Sequence, residues 1–122
     1  MNGIKYLVDT NFIIHLTQSN PLINPFLDEQ LAISFISEME LLGVFSISKS
    51  HKVFIQSVIK SCTLFELNQS IKLIAIDLKQ KYKLKLPDSI IAATAIYYNL
   101  TLITSDADFN KIIELELIFL EK

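Results

Sequence analysis

The sequence predicts an α/β protein built on a five-stranded parallel sheet. Short, almost continuously apolar segments alternate along the chain with longer segments in which apolar residues recur at helical spacing. Strands that alternate with helices are joined by right-handed crossovers, and such connections make the strands parallel. A length of 122 residues predicts one domain, residues 1–122, with room for an ordinary hydrophobic core.

Composition indicates a compact protein of the cytoplasm. Hydrophobic residues make up 51% of the sequence and charged residues 20%. No apolar run approaches the ~18 residues of a membrane span, and a strand and an acidic residue follow the N-terminus too closely for a signal peptide. The single Cys62 excludes an intramolecular disulfide and is expected to be a buried structural thiol. We therefore expect a cytoplasmic protein that has no membrane partner.

The first strand, residues 4–8, ends in the polar residues Asp9, Thr10 and Asn11, and a helix over residues 10–18 follows. Asp9 then lies at the carboxyl end of the strand, which is the edge of an open α/β sheet where ligands bind. Asp, Thr and Asn are also good N-caps. This segment alone therefore fits a ligand site and a simple helix cap equally well.

The second strand also ends close to acidic residues. Two Asn-Pro pairs mark a loop or helical turn, which leads into a strand over residues 31–36. Ser37 is the expected N-cap of a short helix, and Glu40 in the first turn would complete a capping box. The alternative is that Glu40 faces a ligand at the sheet edge.

The middle of the chain predicts two helices with a strand between them. Residues 48–60 carry apolar side chains at a spacing consistent with a helix packed on one side, and residues 61–65 form a third strand. Asn68 then caps the clearest helix of the chain, in which apolar residues between positions 71 and 82 follow the i, i+3, i+4, i+7 pattern.

The next segment predicts a buried helix that carries an acidic residue at its start. Pro87 suits the first position of a helix, and Asp88 in the first turn is favoured by the helix dipole. Residues 89–98 are almost entirely apolar, and a helix that is apolar all round is expected to be buried.

Two candidate carboxylates follow the fourth strand, residues 100–104. Asp106 lies nearer the end of this strand, level with Asp9 on the neighbouring strand, and is the preferred ligand. Asp108 is expected to start or cap a short helix. A last apolar run, residues 117–120, supplies the fifth strand.

Four carboxylates are thus expected to converge at one edge of the sheet: Asp9, Glu40, Asp88 and Asp106. Clustered carboxylates repel and raise one another's pKa values unless a cation lies between them. Oxygen ligands without a neighbouring His or Cys pair favour Mg²⁺ or Mn²⁺ over zinc. The pattern therefore predicts a divalent-metal site.

The charge of the chain does not by itself indicate a nucleic-acid partner. The net charge is −2, and all basic residues are lysines, so bidentate arginine clamps on phosphate are excluded. If four of the 13 acidic residues bind metal, nine remain against 11 lysines, and the balance becomes slightly positive. Four lysines alternate over residues 79–85, a pattern that is also typical of a solvated helix end.

These residues resemble the PIN domain family and, within it, the VapC-type toxins of toxin–antitoxin pairs. The resemblance runs through residues 7–11, 36–43, 86–95 and 102–109, in the family's order and spacing. It implies helices on both faces of the sheet, which makes a three-layer α/β/α sandwich. It also implies Mg²⁺- or Mn²⁺-dependent endoribonuclease activity, homodimerisation, and inhibition by a small cognate antitoxin.

The resemblance implies metal-assisted hydrolysis of RNA phosphodiester bonds by one or two ions. The metal ligands would be Asp9, Glu40, Asp88 and Asp106. The groups that orient these ligands or the substrate would be Thr10, Asn11 and Ser105. Glu40 is preferred to Glu38, which is expected on the exposed side of the turn. His15 is expected to be a structural residue, and His51 to lie in an exposed turn.

So small a domain has little interior for its apolar residues, and we therefore expect a homodimer. Its interface is expected on the helices near Phe26 and on those that cover residues 53–59 and 71–78.

Two other functions are alternatives to the nuclease. One is a catalytically silent binding or assembly module, against which the four occupied acidic positions argue. The other is a phosphohydrolase with Asp9 as a covalent nucleophile; such enzymes usually need a second Asp where this chain has Asn11.

Overall fold

The computed structural model describes residues 3–121, which form a five-stranded parallel sheet covered by helices. The strands are β1 (Tyr6–Val8), β2 (Leu31–Ser34), β3 (Thr63–Phe65), β4 (Thr101–Thr104) and β5 (Leu117–Phe119). The α-helices are α1 (Thr10–Thr17), α2 (Phe35–Leu42), α3 (Lys49–Lys60), α4 (Gln69–Lys81) and α5 (Leu86–Tyr98). Two 3₁₀ helices lie at Pro21–Phe26 and Ala107–Lys111. The strand order is β3-β2-β1-β4-β5, and all neighbours pair in parallel.

The core forms on both faces of the sheet, because adjacent residues of a strand point in opposite directions. Leu7 packs in a cluster with residues of α4 and α5, whereas Val8 packs in a second cluster with residues of α1 and α3. Leu102 and Ile103 in β4 divide between the two clusters in the same way. Burial on both faces explains the near-continuous apolar runs of the central strands. The predicted α/β/α sandwich is confirmed.

The boundary between β2 and α2 differs from the prediction. The strand ends at Ser34, whose hydroxyl accepts a hydrogen bond from Ile36 N at 3.2 Å and so caps α2. Ser37 is a fully buried residue inside the helix and not its N-cap, and Glu40 lies in the second turn. The predicted capping box is therefore wrong. Residues 35 and 36 are apolar, and the first turn of a helix that faces the core has the same pattern as a buried strand.

The remaining boundaries lie within about two residues of the predicted ones, which is the usual uncertainty of element ends. The Asn-Pro segment forms the first 3₁₀ helix, with Asn20 as its N-cap. Helix α5 has Pro87 in its first turn. Asn99 is its C-cap and, with a φ of 57°, has the left-handed conformation that is common at helix ends. Cys62 is half-buried, and burial raises the pKa of its thiol, as expected for a structural thiol.

No helix within residues 3–121 combines the length and the apolar character that crossing a membrane requires.

Candidate metal centre

The carboxyl ends of β1 and β4 border a pocket of about 280 Å³. The residues that line it are Asp9, Thr10, Asn11, Ile14, Glu40, Asp88, Ile91 and Asp106. The structure thus brings the four predicted carboxylates to one pocket, together with two of the three predicted orienting residues. Four separate parts of the chain supply the carboxylates. Asp9 follows β1, Glu40 lies in α2, Asp88 lies in α5 and Asp106 follows β4.

Asp9 is the most enclosed of these carboxylates, with 2% of its surface exposed. Its Oδ1 accepts a hydrogen bond from Phe12 N at 2.9 Å, and its Oδ2 accepts one from the Thr104 hydroxyl. Burial raises the pKa of Asp9 to about 6; these two hydrogen bonds lower it, and the charges of Asp106 and Asp88 raise it further. Asp9 therefore caps α1 and faces the pocket at the same time.

Thr10 sets the position of Glu40. Its hydroxyl donates to Glu40 Oε1 at 2.6 Å and lies 3.0 Å from Ser37 Oγ. Because a hydroxyl has only one hydrogen, Thr10 accepts from Ser37 while it donates to Glu40. Glu38 is half-buried and Glu40 is exposed, so the exposure expected of Glu38 is wrong. Glu40 is nevertheless the residue that lines the pocket.

Asp88 lies half-buried in the first turn of α5. Burial raises its pKa to about 6, and the negative charges of Asp106, Asp108 and Glu40 add to the increase, whereas Lys85 opposes it. Three other carboxylates therefore lie close enough to Asp88 to raise its pKa.

Asp106 is held by two hydrogen bonds at the end of β4. Its backbone N donates to Thr104 Oγ1 at 2.9 Å, and its Oδ1 accepts from Asp108 N at 2.9 Å. Asp106 is thus the N-cap of the second 3₁₀ helix, and Asp108 lies in the first turn. Asp108 is predicted to start or cap this helix; it lies in the first turn, while Asp106, the residue nearer the strand, is the cap.

The same turn brings a fifth carboxylate to the site. Oxygen atoms of Asp88, Asp106 and Asp108 lie within 4.8 Å of one another, whereas Asp9 and Glu40 line the pocket outside this group of three. Sequence reasoning placed Asp108 outside the site. The signal that could have included it is the Asp-x-Asp spacing after a strand, since a first Asp that caps a tight turn brings the second beside it.

The carboxylates fit a hard divalent cation. All the charged donors at the pocket are carboxylate oxygens, which are the ligands that Mg²⁺ and Mn²⁺ prefer. Burial and mutual repulsion raise the pKa values of Asp9 and Asp88, so the carboxylate form is disfavoured in the absence of a counter-ion. A bound cation would remove this cost.

Ser105 is the predicted orienting residue that does not line the pocket. Its Oγ lies 3.0 Å from Nε2 of His15, and Nδ1 of His15 lies 3.1 Å from Nδ2 of Asn20. His15 is therefore a hydrogen-bonded structural residue, as predicted. His51 is exposed in the first turn of α3.

Comparisons with known proteins agree with this architecture. A toxin–antitoxin complex from Klebsiella pneumoniae contains a chain that is 31% identical, with 97% of this chain and 99% of that chain covered and a TM-score of 0.83. VapBC-1 from nontypeable Haemophilus influenzae shows 26% identity, coverage of 98% and 99%, and a TM-score of 0.83. DNA-bound VapBC from Salmonella typhimurium, at 17% identity, coverage of 97% and 99%, and a TM-score of 0.82, shares the fold.

No curated protein matches the sequence. The model of the PIN domain matches residues 6–115, a segment that holds β1 to β4, all five α-helices and every carboxylate of the pocket. With this match, and with 31% identity over nearly the whole length of a toxin–antitoxin chain, the chain belongs to the PIN domain family.

Proposed function

We propose that this chain is a divalent-metal-dependent endoribonuclease that acts as the toxin of a toxin–antitoxin pair. The observation that carries the proposal is the convergence of carboxylates on one pocket at the carboxyl edge of the sheet. Nuclease activity is general for toxins with a PIN domain, and the similar solved structures are toxin–antitoxin complexes. A cytoplasmic location accords with RNA as the substrate.

The ligands of the proposed Mg²⁺ or Mn²⁺ are Asp9, Glu40, Asp88 and Asp106. The cation would act as a Lewis acid that eases deprotonation of the attacking water and offsets charge on the phosphate. Two hydrogen bonds fix the carboxylate of Asp9, and one from Thr10 fixes that of Glu40. Preorganised carboxylates lose little freedom when they bind a cation. Asn11 is exposed at the pocket and can donate its amide hydrogens to a phosphate oxygen.

A rigid loop beside the pocket provides lysines for RNA. Residues 82–85 join α4 to α5, and two lysines from other elements hold the backbone of this loop. Lys79 Nζ donates to the Leu84 carbonyl at 2.9 Å, and Lys111 Nζ donates to the Lys83 carbonyl at 2.6 Å. The loop is therefore tied both to α4 and to the 3₁₀ helix that follows Asp106.

Two lysines of this loop remain available for phosphate. The side chains of Lys83 and Lys85 are exposed, and neither forms an ion pair with any residue between 3 and 121. Lys85 is close enough to Asp88 to lower the pKa of that carboxyl. The backbone of a bound RNA can thus contact Lys83 and Lys85 while one of its phosphates lies at the metal ligands.

The surface formed by α2, α3 and their connection fits a protein partner such as an antitoxin. Large apolar side chains are exposed there: Met39, Val44, Phe45, Val53 and Phe54. Phe45 is 95% exposed, and contiguous apolar surface of this kind commonly marks a binding site for another protein.

Helix α4 provides the proposed interface of a homodimer. Leu73 and Ile76, which are 51% and 46% exposed, lie at the centre of its outer face, flanked by Lys72 and Asp77. If two copies of α4 pack antiparallel about a two-fold axis, Leu73 meets the partner's Ile76 and Lys72 faces the partner's Asp77. The helix is therefore complementary to itself in both shape and charge.

The interface predicted near Phe26 stays a prediction, and the described aromatic contacts of Phe26 lie within its own chain. Its ring packs edge-on against the rings of Tyr6 and Phe12, with centroid distances of 5.7 Å and 6.4 Å. Phe26 is thus part of the packing within one chain.

The nuclease proposal is tested with purified protein and a panel of labelled single-stranded and structured RNAs. Cleavage should require Mg²⁺ or Mn²⁺ and cease with EDTA. Asp106→Asn should lower the cleavage rate more than about 100-fold, as for a lost metal ligand, whereas Asp108→Asn should keep most of the activity. Asp28→Asn, an exposed acid between the first 3₁₀ helix and β2, is the matched control and should cleave as the wild type does.

Two results would contradict this assignment. Cleavage that survives in Asp106→Asn and is lost in Asp108→Asn would transfer the ligand role to Asp108. A folded wild type that binds a small partner protein but cleaves no RNA with either ion would indicate a silent binding module.

A further inference from the structure

We propose that His15 is a positioning residue of the metal centre, which acts through Ser105 to hold the turn that carries Asp106. This inference rests on the metal site of the proposed function, and it assigns to His15 a role beyond packing in α1. Four groups in a row support it: the backbone of Leu22, the side chain of Asn20, the ring of His15 and the hydroxyl of Ser105.

The hydrogen bonds of Asn20 define the protonation of the His15 ring. The Oδ1 of Asn20 accepts from Leu22 N at 3.0 Å, so its amide nitrogen is the atom that faces His15. This nitrogen can only donate, and Nδ1 of His15, 3.1 Å away, must accept. In the neutral ring the hydrogen is then on Nε2, which donates to Ser105 Oγ at 3.0 Å.

The bond between His15 and Ser105 is a second side-chain hydrogen bond between two segments that carry carboxylates. Helix α1 begins at Asp9, and the turn after β4 contains Asp106. The first connection is the bond from the Thr104 hydroxyl to Asp9. The β1–β4 ladder, the bond from Leu120 N to the Thr104 carbonyl at 2.7 Å and the buried Phe109 also hold the segment around this turn. The bond to His15 adds a restraint at Ser105 itself, directly before Asp106.

The orientation of this turn determines where the Asp106 carboxylate lies. Asp106 follows Ser105 directly, and its side chain already accepts the capping bond from Asp108 N at 2.9 Å. A shift of Ser105 would therefore move Asp106 and Asp108 together relative to Asp88. Groups that hold metal ligands from outside typically change metal affinity by about 10- to 100-fold when they are removed.

Three substitutions of His15 separate the hydrogen bond from the packing of the ring. The side-chain nitrogen of Gln can occupy the place of Nε2, so His15→Gln keeps the donor to Ser105. The oxygen of Asn can occupy the place of Nδ1, so His15→Asn keeps the acceptor for Asn20 and loses the donor to Ser105. His15→Phe keeps an aromatic ring and loses both.

The affinity for Mn²⁺, measured by calorimetry in the absence of RNA, tests the proposal without any activity assay. His15→Gln should bind Mn²⁺ within about threefold of the wild type, whereas His15→Asn and His15→Phe should bind about 10- to 100-fold more weakly. Ser105→Ala should show the same loss of Mn²⁺ affinity. Adding His15→Asn to Ser105→Ala should cause no further loss, because both substitutions remove the same hydrogen bond.

Nuclear magnetic resonance gives a second readout that does not need metal. The chain has two histidines. The ring nitrogens of His15 should show the Nε2-protonated tautomer at neutral pH, and Ser105→Ala should change their shifts. The exposed ring of His51 serves as the internal control and should show a mixture of tautomers that Ser105→Ala leaves unchanged.

Equal Mn²⁺ affinity in the wild type, His15→Asn and His15→Phe would overturn the proposal. An equal loss of Mn²⁺ affinity in His15→Gln, His15→Asn and His15→Phe would also overturn it, since that would indicate packing of the ring rather than the bond to Ser105. A wild type that binds no Mn²⁺ would overturn the metal centre and this role together. Altered Mn²⁺ affinity in a protein that cleaves no RNA would support the role of His15 and contradict only the proposed nuclease.

Discussion

At the scale of single residues, Asp9 combines two demands that conflict. It is buried as the N-cap of α1, and burial raises the pKa of its carboxyl from 3.8 to about 6. As the proposed metal ligand it would have to lose its proton. Metal binding and proton binding would therefore compete at this residue.

This competition predicts how stability depends on pH. The pKa of Asp9 is higher in the folded state, so the folded chain binds more protons than the unfolded chain between about pH 4 and pH 6. The contribution is fully present below pH 4, and the free energy of unfolding falls as pH rises through about 6. Between pH 4.5 and pH 7.5 the metal-free wild type should lose on the order of 2 kcal/mol more than Asp9→Asn loses, as measured by urea unfolding in EDTA.

The response to metal should have the opposite pattern. At pH 7.5, Mn²⁺ should raise the unfolding free energy of the wild type by mass action and leave Asp9→Asn nearly unchanged. Equal pH profiles for the two proteins would contradict a raised pKa of Asp9, and a wild type whose unfolding is indifferent to Mn²⁺ would contradict the metal site.

Some residues of the candidate site can be predicted from the sequence, because the order of strands and helices alone determines their position. Asp9 and Asp106 each follow a strand, and parallel strands present their carboxyl ends at one edge. Asp108 could not be placed, because its position depends on a tight turn capped by Asp106. The contact of His15 with Ser105 joins residues 90 apart in sequence and depends on how α1 packs against β4. Such a contact is a result of tertiary packing and has no local pattern.

At the scale of secondary structure, the loop between α4 and α5 shows how exposed lysines differ in role. Lys79 and Lys111 bind carbonyl groups of this loop, whereas Lys83 and Lys85 keep their charges free. The alternating lysines therefore differ in their contacts: Lys79 binds a carbonyl and Lys81 pairs with Glu114, whereas Lys83 and Lys85 form no ion pair among the described residues and are proposed to bind RNA. Sequence alone could not separate them, because the difference depends on which carbonyl each ammonium reaches.

The two free lysines predict a defined change in RNA binding. The combined variant Lys83→Gln and Lys85→Gln, in a cleavage-deficient Asp106→Asn background with Mg²⁺, should bind a labelled single-stranded oligoribonucleotide more weakly. The slope of log K against log salt concentration should become shallower by about 1.4, because two lysines would no longer neutralise phosphates of the RNA. Fluorescence anisotropy over a series of salt concentrations measures this slope.

Lys52→Gln with Lys60→Gln is the matched control, because both lysines are exposed on α3. This helix packs in the cluster that contains Val8, on the face of the sheet opposite to α4 and α5. This control should keep the slope of the cleavage-deficient parent. An equal effect of the two double variants would indicate a general charge effect and would remove the loop from the binding surface.

At the scale of the whole molecule, the exposed face of α4 predicts a dimer that two substitutions dissociate. Leu73→Lys with Ile76→Lys should shift the mass measured by light scattering from dimer to monomer, because four charges would meet at the two-fold axis. Val53→Lys tests the other helix that the sequence predicts at the interface, and it should leave the dimer intact if α4 forms the contact. A wild type with a monomer mass at all concentrations would rule out this interface.

The fold as a whole could be predicted because its pattern is repeated along the chain. The central strands are buried on both faces and read as apolar runs, and the crossovers have helical spacing. The one misplaced boundary, at Ser34, lies where a buried strand passes without a loop into a helix that faces the core. Apolar character alone cannot locate such a junction, and only the capping hydroxyl marks it.

The strand order has a consequence for the synthesis of the protein. Strand β1 leaves the ribosome first but lies in the middle of the sheet, between β2 and β4. The hydrogen bond from Thr104 to Asp9 spans 95 residues, so Asp9 remains without this partner until β4 has been translated. Contacts so distant in sequence also form slowly. The carboxylates of the proposed metal centre can therefore come together only after β4 has been synthesised.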